Sequence, residues 1–221
     1  MISAVIFDVD GTLLDTERVY VSAWRTACRE MGCELPEDVI RRTRAIDRAL
    51  AVQIFREGLG QDFDYFAAFA RRVEIAEAVI AAKTQSLVKP GACELLDWLD
   101  AHGIKKAVAS MTDSGKTRSH LESAGLLHRF PTVITGDMVT KGKPDPEIFL
   151  RSAALLGAEP ETCIVCEDSY AGVEAAKRAG MLPVMIPDYV PAREQERAFA
   201  RILPSLFEVI SLIEEQGYEK G

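Results

Sequence analysis

Apolar residues run along the chain in two periods. Val5, Ile6 and Phe7 form a continuous β-rich run, and comparable runs recur at 105–110 (KKAVAS), 132–136 (TVITG), 162–168 (TCIVCED) and 182–187 (LPVMIP). Unbroken apolar character marks strands covered on both faces, as in a parallel sheet. Between these runs lie stretches of helical character with start and stop signals. ACELLDWLDAHG ends at a glycine, SGKTRSHLESAG opens on Ser and stops on Gly, and DPEIFLRSAALLG opens Asp-Pro and closes on Gly157; SYAGVEAAKRAG repeats the arrangement. Strand and helix in alternation predict an α/β fold, a parallel sheet wrapped by helices on both faces.

Residues 16–88 interrupt the alternation. They hold no convincing strand but three amphipathic helical runs, 17–31, 37–57 and 62–85, and LVKPG at 87–91 reads as the return hinge. The pattern therefore divides the chain into a core, 1–15 with 89–221, and an inserted helical domain, 16–88.

Composition narrows the classes. A chain of 221 residues with 48% hydrophobic content can bury a sizeable core without covalent staples. A net charge of −8 argues against nucleic acid, whose phosphates demand a basic face, so an anionic ligand must be drawn in locally. No apolar run approaches the ~20 residues of a membrane span. The start MISAVIFD lacks the basic region and cleavage site of a signal peptide. The expectation is a cytoplasmic protein with no membrane partner, a monomer or weak homo-oligomer. Five cysteines, an odd number, do not suggest a disulfide framework. Cys163 and Cys166 match C-x-x-C, but in a strand positions i and i+3 point to opposite faces, which favours two core residues over a redox or zinc pair.

In open α/β sheets ligands bind beyond the carboxyl ends of the strands. Asp8 and Asp10 end the first strand, Ser110 the second, KGKPDP with Lys141 and Lys143 follows the third, and Glu167 and Asp168 end the fourth. Carboxylates arriving together repel and are costly to desolvate unless a cation joins them or one is protonated. Carboxylates from two strands suit Mg²⁺, which keeps waters and substrate phosphate as its other ligands. A lysine, a hydroxyl and loop N–H groups complete a seat for a phosphoryl group. Gly11 admits the bend after the first strand, and Thr12 is placed to cap or orient that turn.

DVDGTLLD, Ser110, Lys143 in GKPDPEIF, and EDSYAGVEAAKRAGM together resemble the four motifs of the haloacid dehalogenase superfamily, in its phosphatase and β-phosphoglucomutase-like branch with a helical cap inserted after the first motif. The resemblance implies a Rossmann-like core and Mg²⁺-dependent phosphoryl transfer to or from a small-molecule phosphate ester through a phospho-aspartate. By that resemblance Asp8 is the nucleophile and Asp10 the general acid/base, whose backbone carbonyl also reaches the metal. Ser110 with its neighbour Met111, and Lys143, hold the phosphate. Asp168 is a metal ligand, and Glu167 a second carboxylate ligating directly or through water.

The inserted helices are expected to close over the site and select the ester. Arg41, Arg44 and Arg48 fall at helical i, i+3, i+7 spacing, either a cationic face for a second anionic group or a solvated helix face. Tyr20 and Trp24, at i and i+4, read as cap core or pocket lining, and YFAAF (65–69) reads as cap core. In the mutases of this branch a histidine on the first cap helix couples substrate binding to the acid/base. Here Tyr20 takes that place and no histidine precedes His102. A tyrosine, with a reference pKa near ~10, carries protons poorly at neutral pH, which favours a phosphatase over a mutase.

Overall fold

The structure, a computed structural model, describes residues 1–43, 48–83 and 87–216. Two compact units divide the chain: Met1–Asp15 with Thr84–Gly221, and Thr16–Lys83.

The first unit is built on six parallel strands, β1 (Ala4–Phe7), β2 (Lys105–Ser110), β3 (Thr132–Thr135), β4 (Cys163–Glu167), β5 (Leu182–Met185) and β6 (Arg201–Ile202). Their order is β3-β2-β1-β4-β5-β6. This is the Rossmann-like α/β arrangement expected from the alternation. Because side chains alternate along a strand, the continuous apolar runs feed two cores at once. Val5, Phe7, Val108, Val133, Ile164, Cys166 and Val184 meet one set of helices, α5 (Ala92–Ala101), α6 (Ser114–Ser123) and α10 (Phe207–Glu215). Ala4, Ile6, Ala107, Ala109, Ile134, Cys163 and Val165 meet the other, α7 (Glu147–Leu156) and α8 (Tyr170–Arg178). Cys163 and Cys166 thus lie in opposite cores, which removes the C-x-x-C reading.

The second unit contains α1 (Thr16–Glu30), α2 (Glu37–Arg42), α3 (Arg48–Leu59) and α4 (Tyr65–Lys83). Val19, Ala23 and Ala27 on α1 and Ala68, Ala76 and Ile80 on α4 are buried at helical spacing, and the four alanines let the two helices pack along each other. The run 37–57, expected as one helix, is split. Thr43 closes α2 out of helical geometry, its hydroxyl donating back to the Val39 and Ile40 carbonyls. The second boundary also shifts. Asp15 N donates to Leu87 O at 2.7 Å, Lys89 N to Leu13 O at 2.9 Å, and Leu14 bridges Val88 antiparallel, so 87 and 88 belong with the core rather than with the insertion. Residues 84 and 85 of the third helical run lie outside the described residues. A short α9 (Glu194–Arg197) lies between β5 and β6 of the first unit. Among the described residues no helix is long and apolar enough to cross a membrane.

Candidate active site

β1 is central, with β2 and β4 as its neighbours, so its carboxyl end opens where the chain leaves the sheet in both directions. The ladder runs one residue past the strand, Asp8 N donating to Cys166 O at 3.0 Å, which fixes Asp8 over the sheet edge. The chain then folds back: Leu13 N and Leu14 N both donate to Val9 O, Gly11 takes a φ of +82°, and Val9, Leu13 and Leu14 bury their side chains. A left-handed φ is cheap only for glycine, and it lifts Asp10 onto the turn. The Thr12 hydroxyl does not cap this turn. It is buried without a hydrogen-bond partner among the described residues, and only its backbone N–H, donating to Val9 O, serves the bend.

Lys143 joins the ends of β1, β2 and β4. Its Nζ donates to Asp8 Oδ1 at 2.7 Å, to Glu167 Oε1 at 2.6 Å and to the Ala109 carbonyl at 3.0 Å, with only 5% of the side chain exposed. Burial works against the ammonium, but Asp8 and Glu167 outweigh it and hold Lys143 above the usual lysine range. Burial also pushes the Asp8 carboxyl up, to about 7; Lys143 pulls it back while Glu167 and Asp10 add to the push. Both Glu167 oxygens are engaged inside the protein, since the other one accepts from Ser169 N at 3.0 Å and Ser169 Oγ at 2.8 Å. Ser169 is in turn the N-cap of α8, its Oγ accepting from Gly172 N. Asp168, buried, follows Glu167 at the end of β4.

Ser110 ends β2, buried, with Oγ accepting from Thr112 N at 3.1 Å. Met111 follows it with an exposed side chain. Asp10 makes its contact elsewhere, Oδ2 accepting from Thr112 Oγ1 at 2.8 Å. Lys141 is exposed and faces Asp145 at 3.7 Å. Thr112, Ser169 and Gly172 were not among the sequence candidates. A serine before a helical run signals an N-cap and so marks Ser169, whereas nothing in SMTDSG marks Thr112 as a partner of Asp10.

The remaining candidates belong to the helical unit. Tyr20 lies under the Arg72 guanidinium, Cζ 4.0 Å from the ring centroid, and with Trp24 and Phe55 lines a cavity of about 160 Å³ within that unit. Trp24 also packs on Phe55 and Tyr65, with ring centroids 4.5 and 5.5 Å away, while Phe66 of YFAAF is exposed. Arg41 is exposed on α2, and Arg48 starts α3 with Cζ 5.0 Å from the Phe69 ring. Arg41 and Arg48 therefore stand on separate helices, with Thr43 closing the first, and Arg44 lies outside the described residues.

The donor set is one that suits a divalent cation. Among the described residues no three His, Cys, Asp or Glu side chains form a ready-made metal cage. Mg²⁺ does not require one, since one or two carboxylates suffice when waters and a phosphate complete the octahedron. Asp8 and Glu167 meet the Lys143 ammonium, Asp10 acts electrostatically on Asp8, and Asp168 follows Glu167 at the same sheet edge, so these hard oxygen donors fit such an ion.

A family model for haloacid dehalogenase-like hydrolases matches residues 2–180, most of the chain and every residue of this cluster. The chain belongs to that hydrolase family. The hydrolase is 37% identical over 180 residues to a phosphorylated carbohydrates phosphatase of Thermotoga maritima, covering 80% of this chain and 82% of the relative. It is 31% identical over 186 residues to a β-phosphoglucomutase of Bacillus subtilis, covering 82% and 81%. A solved structure of a HAD family hydrolase from Deinococcus radiodurans R1, with bound phosphate and sodium, aligns with a TM-score of 0.81 at 26% identity, covering 98% of this chain and 96% of that one. The hydrolase is an enzyme of the phosphoric monoester hydrolase class.

Proposed function

We propose that the hydrolase is a Mg²⁺-dependent phosphatase of small phosphomonoesters, of sugar, polyol or nucleotide type, acting through a phospho-aspartate on Asp8. The observation that carries this is the buried Lys143 ammonium hydrogen-bonded to Asp8 at the end of the central strand. A phosphate dianion repels an anionic attacker, and a fixed cation beside the nucleophile offsets that repulsion without reorganising during the reaction.

In the first step an Asp8 carboxylate oxygen attacks phosphorus in line. The bond from phosphorus to the ester oxygen breaks, and Asp10, protonated, gives its proton to that oxygen as the alcohol departs. In the second step water attacks the phosphorus of phospho-Asp8, its proton passes to the Asp10 carboxylate, and the bond to Asp8 breaks to release phosphate. Asp10 ends protonated, ready for the next ester. Lys143 and the Ser110 hydroxyl, with the loop at Met111, hold the phosphoryl oxygens. Glu167, with both oxygens engaged by Lys143 and Ser169, aims the lysine and would meet the ion directly or through water. Asp8, Asp168 and the Asp10 carbonyl would hold Mg²⁺, whose chemistry there is to neutralise charge on the phosphoryl oxygens.

The sugar class is supported by the name of the Thermotoga relative, and phosphatase over mutase by Tyr20 standing where the mutases of this branch have a histidine. The test is release of inorganic phosphate from a panel of sugar, polyol and nucleoside phosphates with Mg²⁺. Turnover is expected for at least one sugar or polyol ester and is expected to vanish with a chelator, Ca²⁺ restoring it poorly. Full turnover in excess EDTA after removal of bound metal refutes the metal assignment. Efficient conversion of β-glucose 1-phosphate to glucose 6-phosphate, primed by glucose 1,6-bisphosphate, replaces the phosphatase with a mutase.

A further inference from the structure

The Asp10 carboxylate is held by a residue that the motifs do not include. Thr112 sits two residues past the end of β2, and its hydroxyl donates to Asp10 Oδ2 at 2.8 Å. A threonine hydroxyl on a free loop would turn to water, but this one is tied from several sides. Its backbone N–H donates to Ser110 Oγ at 3.1 Å, and its carbonyl accepts from the buried Thr117 hydroxyl at 3.3 Å and from Gly136 N at 3.4 Å. Gly136 keeps this loop close to the end of β3, since a Cβ there would come within 2.5 Å of the Met111 carbonyl. The Thr112 main chain is therefore anchored to β2, to α6 and to the end of β3 before its side chain reaches Asp10, as an orienting contact requires.

We infer that Thr112 is a positioning residue for proton transfer: it holds Asp10 by Oδ2, so that Oδ1 is the oxygen that gives a proton to the departing alcohol and takes one from the attacking water. The inference rests on the proposed acid/base role of Asp10. A hydroxyl has one proton to donate, and Thr112 spends it on Oδ2, so the proton that Asp10 passes on is carried by the other oxygen.

Leaving groups separate this role from a purely structural one. An alkyl phosphate departs as a strongly basic alkoxide and needs the proton in the first step; p-nitrophenyl phosphate, with an acidic phenol, hardly does. For Thr112→Val, kcat/KM on glycerol phosphate is expected to fall about tenfold or more, the size of a lost orientation, while kcat/KM on p-nitrophenyl phosphate changes by less than about threefold. Because the second step still needs the base, the variant is also expected to show a burst of p-nitrophenol before a slower steady state. Thr112→Ser, which keeps the hydroxyl, is expected to restore the alkyl ester. Equal losses on both esters, or failure of the serine variant to rescue, would mark Thr112 as a loop anchor only and overturn the inference. Asp10→Asn is run alongside. If it is impaired on the alkyl ester while Thr112→Val is not, the inference alone fails; if it keeps wild-type kcat/KM there, the acid/base reading fails and takes the inference with it.

Discussion

Replacing Gly172 by alanine sets two well-known effects against each other. Gly172 lies in the first turn of α8, where alanine gains about 1 kcal/mol of helix propensity over glycine. A Cβ on Gly172 would, however, stand 1.9 Å from both Cδ and Oε1 of Glu167, so the carboxylate must move. Glu167 is 1% exposed and its oxygens are bonded to Lys143 and Ser169, so moving it breaks a buried charge pair. Disrupting such a pair costs about 3–5 kcal/mol, which leaves a net loss of about 2–4 kcal/mol after the propensity gain. At ~2–4 °C per kcal/mol for a domain of this size, the midpoint of thermal unfolding should drop by ~4–16 °C. Phosphatase activity should fall with it, since Lys143 loses one of its two carboxylate partners. Calorimetry on the wild type, Gly172→Ala, Glu167→Ala and the double variant measures the coupling directly. With Glu167 truncated, the alanine at 172 should become neutral or stabilising. A Gly172→Ala protein as stable as the wild type, or a penalty that persists in the Glu167→Ala background, refutes the steric account.

Asp8→Asn should lose turnover by on the order of 10⁴-fold or more while melting within a few degrees of the wild type, because burial and the Glu167 and Asp10 charges already disfavour the Asp8 carboxylate and asparagine keeps its shape and an oxygen for Lys143; wild-type hydrolysis by this variant would remove Asp8 from the nucleophile's role. In a thiol titration of the native protein Cys93 should react first and Cys33 more slowly, with Cys28, Cys163 and Cys166 reacting only on unfolding. Burial pushes the Cys28 thiol up to about 12 and Cys163 up to about 11, which leaves almost no thiolate at neutral pH. Rapid modification of Cys163 and Cys166 in the folded state would contradict their placement in opposite cores.

What was legible in the sequence follows from how each feature is encoded. β2 begins and ends at the residues of KKAVAS, because a strand buried on both faces must be apolar throughout and its polar ends are conspicuous. The stations at Asp8, Ser110, Lys143 and Glu167 were legible because polar groups at strand ends stand out against apolar runs. β6, two residues long at the sheet edge, has too little apolar surface to leave a pattern, and α10 behind it was not anticipated. The break after α2 was hidden because Thr43 leaves the helix through a backbone-directed hydroxyl rather than a glycine or proline. Thr112 and Gly172 act through contacts that exist only once the loops and α8 are in place, so neither announces itself by residue type.

In the proposed reaction phosphate leaves through a covalent adduct on Asp8, in two in-line displacements. Each displacement inverts configuration at phosphorus, so the pair must restore it. Hydrolysis of a phosphorothioate ester made chiral at phosphorus with oxygen isotopes, in isotopically labelled water, reads the outcome directly. Net retention is the result predicted here; net inversion would mean that water attacks the ester in a single step and would contradict a phospho-aspartate on Asp8.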